Sequence, residues 1–136
     1  MIQRAIDQLL RHHLDAQRSQ RDAVSVAVEM FETLLRTLSP ILGHVGSHSL
    51  FRRSLHLTEE DFPCYKEVRH ADDEALMKTI EGCLRDQPSN AREASAALLK
   101  AFITLLATFI GERLAWQLLR EAWPDILTTG SEETQQ

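Results

Sequence analysis

The feature that most constrains this chain is a spacing of three and four residues between apolar side chains, which recurs along most of its length. Near the N-terminus this spacing is formed by Val24, Val28, Phe31, Leu35 and Leu38. It places apolar groups on one face of a helix. No run alternates between apolar and polar residues for more than a few positions, and no Asn-Gly or Asp-Gly pair marks a hairpin. The sequence therefore predicts an all-α fold, a bundle of four to five helices with long first and last helices.

Proline-containing dipeptides separate the periodic stretches and set the predicted helix ends. Ser39-Pro40 predicts the end of the first helix and the start of the second, because serine caps a helix N-terminus and proline fits its first position. Ser89 is predicted to cap the last helix in the same way. Within the polar residues 15–22 the first helix either continues or kinks near Ser19. The predicted helices are residues 2–38, 40–57, a short piece at 65–70, 72–87 and 89–122.

Size and charge restrict the class of protein. A length of 136 residues suits one domain, and an apolar content of 43% with few glycines (5) and prolines (4) can fill a core. We predict a single domain over residues 1–127 and a disordered polar tail over residues 128–136. The net charge is −5 and the basic residues are scattered. Nonspecific binding to nucleic acid or to anionic membranes needs a basic patch, so we predict neither partner.

One apolar stretch, residues 94–110, calls for a comparison with membrane spans. It contains Lys100 near its middle, and Glu112-Arg113 follows closely. A charge at mid-depth in a bilayer is costly, and the stretch is at the short limit of about 17–25 residues for a span. We therefore predict a buried core helix.

The two cysteines, Cys64 and Cys83, form no Cys-x-x-Cys pair, which excludes a metal knuckle and a thioredoxin-type motif. Residues 1–7 show no signal-peptide pattern. We predict a cytoplasmic protein with two free, packed thiols, since the cytosol keeps thiols reduced. A disulfide between the two cysteines stays open as the alternative.

The predicted helix lengths bear on oligomeric state. A helix over residues 2–38 would be about 55 Å long, and one over residues 89–122 about 50 Å. A compact chain of this size has a diameter of about 37 Å. The long helices therefore break, or the domain is elongated, or the helix ends pack against a second chain. The third option predicts a homodimer, the commonest oligomer.

One stripe of the last predicted helix steps regularly by four and three residues and is apolar except for Glu112. Its members are Leu98, Phe102, Leu105, Phe109, Glu112, Trp116, Leu119 and Trp123. Such a stripe predicts a seam that faces another helix. A carboxylate on it must be paired, hydrogen-bonded or protonated, because an isolated buried charge is very costly. Glu112 is then either a ligand-binding or acid/base group, or a structural ion-pair partner or a side chain that reaches the edge of the bundle.

The second predicted helix offers partners for Glu112. His48 and Arg52 lie one turn apart on its apolar face. An Arg52–Glu112 bridge is the simplest way to satisfy both charges, and Arg53, about a quarter-turn away, is the alternative partner. We therefore predict a polar cluster of Glu112, His48 and Arg52 or Arg53.

Two glycines, Gly43 and Gly46, lie near the start of the second predicted helix. On one interpretation they let a neighbouring backbone approach closely. On the other, residues 40–46 form a non-helical turn.

His44 and His48 are spaced four residues apart, so two imidazoles can bind one metal from a single helix face. The glutamate of the H-E-x-x-H motif is absent. A third ligand would have to come from His56, Asp61, Glu112 or another chain. Because the ligand set is incomplete, we predict no metal and no cofactor, and keep His44 and His48 as the candidate ligands.

Residues 41–57 (ILGHVGSHSLFRRSLHL), followed by Phe62-Pro63, and residues 110–125 (IGERLAWQLLREAWPD) resemble a set of bacterial all-helical proteins and domains without known function. The resemblance covers about half the chain. It implies that Glu112 and one of Arg52 or Arg53 belong to a shared pattern. It implies no activity, substrate or cofactor.

Catalytic signatures are missing from the sequence: there is no glycine-rich phosphate loop, no G-x-S-x-G, and no pattern that pairs Cys64 with a histidine. We therefore predict a non-enzymatic interaction or regulatory module, homodimeric, with a protein partner as a further option. The alternative is a small-ligand- or metal-binding bundle that uses Glu112, Arg52, His48 and His44 in its interior.

Overall fold

The computed structural model describes residues 2–18 and 23–127. Within these ranges the chain forms helices and no strand, so the predicted all-α fold is confirmed. The predicted count of four to five helices is not confirmed, because the described residues form seven helices. The predicted tail and the kink near Ser19 lie outside the described residues. The helices are α1 (Ile2–Arg18), α2 (Ala23–Thr58), α3 (Tyr65–Arg69), α4 (Leu76–Arg85), α5 (Ala91–Ile110), α6 (Glu112–Ala122) and α7 (Pro124–Leu127).

Helix α2 folds back on itself at Gly43, which has φ 80° and ψ 163°. This divides α2 into a first arm, residues 23–42, and a second arm, residues 44–58. The rings of Phe31 and Phe51 lie 5.5 Å apart, and the hydroxyls of Ser39 and Ser47 lie 3.3 Å apart. In a straight helix these pairs would be separated by about 30 Å and 12 Å along the axis. The two arms therefore pack against each other.

The predicted helix boundary at Ser39-Pro40 is wrong. Both residues lie inside the first arm, and the Ser39 hydroxyl donates to the Leu35 carbonyl one turn back instead of capping a new helix. The reversal occurs at Gly43 because a positive φ with an extended ψ is open to glycine and costly for other residues. Of the two interpretations of the glycines, a non-helical conformation occurs at Gly43 alone, since residues 40–42 and 44–46 are helical.

The last predicted helix is likewise divided, at Gly111 (φ 95°, ψ 150°), into α5 and α6. It begins at Ala91 with Asn90 at the N-cap position and no side-chain cap hydrogen bond, so the predicted Ser89 cap is also wrong. The first arm of α2 and α5 are each about 30 Å long, which fits a compact chain of this size. Helix length therefore no longer argues for a second chain.

The core lies between α2 and α5. Phe51 of the second arm contacts Phe31 of the first arm and Phe102 of α5. The ring centroids are 5.5 Å apart in the first pair and 5.2 Å apart in the second, and all three rings are buried. The buried Tyr65 of α3 donates its hydroxyl to the Ala94 carbonyl at 2.6 Å, which joins α3 to α5. These contacts hold the second arm in a fixed position, and the polar residues discussed below project from that arm.

In the described part of the chain, α5 is the one helix long and apolar enough to cross a membrane by length and composition. A core helix passes the same test. Nearly half of this stretch (44%) is buried by its neighbours, and Lys100 is exposed. The packing is that expected of a core helix.

Cys64 and Cys83 form a disulfide, with their Cα atoms 5.8 Å apart. The prediction of two free thiols is therefore wrong. The bond joins the residue before α3 to the last turns of α4, two segments that the sequence does not place side by side. Their proximity follows from the packing of α3 against α4, which brings the two Cα atoms to a separation that a disulfide spans.

Candidate metal centre beside the Gly43 reversal

Three metal-ligating side chains meet beside the Gly43 reversal. His44 directly follows Gly43, and His48 lies one turn further along the second arm; their rings are 4.0 Å apart at an angle of 32°. Asp73 lies in the turn between α3 and α4, and its Oδ2 is 2.9 Å from Nε2 of His44. One ligand atom from each residue lies within 4.8 Å of the others. We call these three residues the His–His–Asp cluster.

Arg52 fixes the position of Asp73. Its Nη2 donates to Asp73 Oδ1 at 2.5 Å, while its Nη1 donates to the carbonyls of Arg69 and Ala71 at 2.7 and 2.6 Å. These carbonyls lie at the C-terminal end of α3, where backbone oxygens lack helical partners and a cation is favoured. One guanidinium therefore satisfies the end of α3 and orients a carboxylate at the same time.

The electrostatic environment keeps Asp73 ionised. The hydrogen bonds from Arg52 and from His44 hold the pKa of its carboxyl below the ordinary value of 3.8. Both bonds favour the charged form, which outweighs the opposing effect of partial desolvation. Near neutral pH the cluster thus contains an anionic oxygen ligand.

The backbone fixes the proton position in His48. Its Nδ1 lies 2.9 Å from the His44 carbonyl oxygen. Because a carbonyl only accepts, Nδ1 carries the hydrogen and donates it. In the neutral imidazole, Nε2 then presents its lone pair, as in the histidine ligands of metal sites whose other ring nitrogen donates to a carbonyl.

These residues could hold a divalent transition metal after a small adjustment. Bonds of about 2.0–2.2 Å to nitrogen and oxygen place the ligand atoms of a tetrahedral site about 3.4 Å apart. The cluster atoms, within 4.8 Å of one another, would have to close by rotation of exposed or half-buried side chains. His44 would also have to carry its proton on Nδ1, since its Nε2 now donates to Asp73. The protein then supplies three ligands and leaves a fourth position for water.

The predicted Arg52–Glu112 bridge is wrong. Glu112 is exposed in the first turn of α6, and Arg52 pairs with Asp73. The seam that predicted a buried Glu112 assumed one continuous helix, but Gly111 redirects the chain immediately before it. The carboxylate instead lies where a helix N-terminus favours negative charge. Among the described residues Glu112 has no ion-pair partner.

Arg53, the alternative partner, is exposed and forms no ion pair with Glu112. It lies along a cleft with Arg52, His56 and Arg69. Of the proposed third metal ligands, His56 instead approaches Glu59, with Nδ1 3.5 Å from Oε2. Thus Arg52 binds Asp73 directly and His48 lies near the same carboxylate, while Glu112 lies apart from both.

Sequence reasoning missed Asp73 as a member of the cluster. The predicted helix over residues 72–87 begins at this Asp72-Asp73 pair, and the Asp72 carboxylate accepts a hydrogen bond from the Ala75 amide just before α4. Nothing in the spacing links Asp73 to His44, since 29 residues separate them. The acidic pair directly after a short helix is the one signal that could have suggested it.

No protein-family model, curated protein or solved structure matches this chain.

Proposed function

We propose that this protein is a non-enzymatic, all-helical binding module whose His–His–Asp cluster binds one divalent transition-metal ion. The observation that supports this is the meeting of His44, His48 and Asp73 from distant parts of the chain, with one ligand atom of each within 4.8 Å of the others. Two imidazoles and a carboxylate suit Zn²⁺, Co²⁺ or Ni²⁺ better than Ca²⁺ or Mg²⁺, which prefer oxygen ligands throughout.

The surroundings of the cluster support the same assignment. Arg52 orients Asp73 from one side, and the His44 carbonyl sets the tautomer of His48 from the other. Partners of this kind raise metal affinity by holding the ligands in place. A bound ion would connect the second arm of α2 to the turn between α3 and α4, so metal binding would stiffen these elements and provide a regulatory signal.

The test is a titration of metal-free protein with Zn²⁺, followed by calorimetry. We expect one ion per chain and a rise in Tm, since a ligand at about 100 times its Kd stabilises the folded state by about 2.7 kcal/mol. His48→Ala should weaken binding by roughly tenfold or more, because it removes one of three ligands. Binding should also weaken as the pH falls, because protons compete for the imidazole nitrogens.

His70→Ala is the matched control, since His70 is an exposed histidine outside the cluster. It should leave Zn²⁺ affinity unchanged. If His70→Ala and His48→Ala reduce affinity equally, the binding is nonspecific and the proposal fails. It also fails if the wild-type protein takes up no Zn²⁺ at about 0.1 mM free metal.

A homodimeric interaction module is the second candidate. The argument for a dimer from helix length no longer holds. However, Ile41 and Val45, on either side of Gly43, are 51% and 76% exposed. Apolar groups left in water at one place favour a protein partner, and a second copy of this bundle is the one we propose. Light scattering should give a dimer that Val45→Lys converts to a monomer, whereas a wild-type monomer at micromolar concentration refutes this candidate.

The proposed location needs a separate test. A cytoplasmic protein remains our prediction from the sequence, but the Cys64–Cys83 bond favours an oxidising compartment. Thiol counting on protein trapped directly from cells distinguishes the two: two free thiols support the cytoplasm, and none supports an oxidising compartment.

A further inference from the structure

A second polar feature lies beside the cluster but is chemically different from it. A cleft of about 320 Å³ between the second arm of α2 and the end of α3 is lined by Arg52, Arg53, His56 and Arg69. Each of these four residues is a cation or becomes one on protonation. We call this cleft the arginine cleft. Its volume lies at the lower end of the range of small-molecule sites.

Several hydrogen-bond donors of the arginine cleft have no partner among the described side chains. Arg69 uses Nε and Nη2 on the carboxylate of Glu59, at 2.7 and 3.2 Å, and keeps Nη1 free of side-chain partners. Arg53 makes no hydrogen bond or ion pair with any described residue. A guanidinium carries five N–H donors, so most of the donors on these two arginines are open to a ligand.

The charge of the arginine cleft is positive after the acids that pair with its arginines are counted, and the adjacent Glu60 is offset by Lys66 in the same neighbouring pocket. Asp73 neutralises Arg52, and Glu59 neutralises Arg69. Arg53 is left in excess, and His56 adds charge when it is protonated. This surplus occurs in a chain whose net charge is −5, so it is opposite in sign to the molecule as a whole. Local positive charge of this kind attracts anions.

We propose that the arginine cleft binds a phosphate group, either inorganic phosphate or the phosphate of a small monoester. Planar guanidinium groups match oxyanions through paired hydrogen bonds. A phosphate has enough oxygens to engage Arg53 and the unused side of Arg69 together, whereas a carboxylate has two. The Glu59 and Asp73 carboxylates hold the neighbouring arginines in place and do not themselves bind the phosphate.

The site is independent of the metal proposal, because no residue of the His–His–Asp cluster lines the arginine cleft. Arg52 is the one connection, since it lines the cleft and also binds Asp73. The two proposals can therefore fail separately, and phosphate binding is measured on metal-free protein.

The experiment is a titration of the full chain with inorganic phosphate, glycerol phosphate and acetate at constant ionic strength. We expect saturable phosphate binding with a Kd below about 10 mM. Arg53→Gln should weaken it by roughly tenfold, because it removes the largest set of open donors at an exposed position that leaves the fold intact. Tighter binding of either inorganic phosphate or the monoester supports the proposal and identifies the source of the phosphate.

Arg113→Gln is the matched control, since it makes the same change in charge at an exposed arginine of α6. It should leave phosphate affinity unchanged. Three results would overturn the proposal: no saturation by either phosphate, equal loss of affinity in Arg53→Gln and Arg113→Gln, or acetate binding as tight as that of phosphate.

Discussion

Replacing Gly43 with alanine tests the reversal that forms the candidate site. At φ 80° and ψ 163°, Gly43 occupies a backbone conformation that residues with a Cβ rarely adopt. A Cβ added there would meet no atom within 4 Å. The cost of the substitution is therefore conformational strain alone, with no contribution from steric overlap with neighbouring groups.

The expected loss of stability follows from that conformation. A non-glycine residue held in such a region costs about 1–3 kcal/mol. Unfolding entropy is about 2.1 cal/mol/K per residue, which for this chain length gives about 0.3 kcal/mol/K and a fall in Tm of about 3–10 °C. If α2 instead ran straight through Gly43, the same substitution would stabilise the helix by about 1 kcal/mol. The reversal at Gly43 and a straight helix therefore predict changes in stability of opposite sign.

The assay is thermal and urea unfolding followed by circular dichroism, with Gly82→Ala as the control. Gly82 lies in α4, is exposed, and would also have no atom within 4 Å of an added Cβ. Alanine there should raise stability by about 0.5–1 kcal/mol. If Gly43→Ala stabilises the protein as Gly82→Ala does, the reversal at Gly43 is wrong, and so is the placement of His44 beside Asp73.

Three further substitutions or treatments probe the rest of the fold. Tyr65→Phe removes a buried hydroxyl that donates to a carbonyl of α5 at 2.6 Å, and should cost about 1–2 kcal/mol in urea unfolding; no change would mean that the bond is absent. Reducing the Cys64–Cys83 bond, which spans 19 residues, should cost about 3 kcal/mol, and thiol titration of denatured, unreduced protein should find no free thiol. The Arg69 hydrogen bond holds the pKa of Glu59 below its ordinary value of 4.5, so its stabilising contribution is present above that pH and is lost as the pH falls through the lower, folded-state pKa. Glu59→Gln should flatten this part of the stability–pH curve, and an unchanged curve would refute the pairing.

The polar site was only partly predictable, and Arg52 shows why. It lies half-buried one turn after His48, and a half-buried arginine there required an acidic partner. The sequence contains 20 acidic residues, and periodicity does not rank them by distance. Glu112 interrupts an apolar stripe and is therefore the predicted partner, but that stripe exists only if the helix continues through Gly111. The partner was Asp73, which the packing of α3 and α4 brings to the second arm.

The sequence by itself determined that this chain is helical, because the three- and four-residue spacing is a local property that is present within each helix, independently of the rest of the chain. It also marked the residues with unusual chemistry: the paired histidines, the adjacent arginines and the two cysteines. Only the tertiary structure decided which of them meet. The reversals at Gly43 and Gly111 depend on how the arms pack, since a glycine permits a positive φ and does not impose one. The disulfide follows from the packing of α3 against α4, and the His–His–Asp cluster forms where the turn between those two helices meets the second arm.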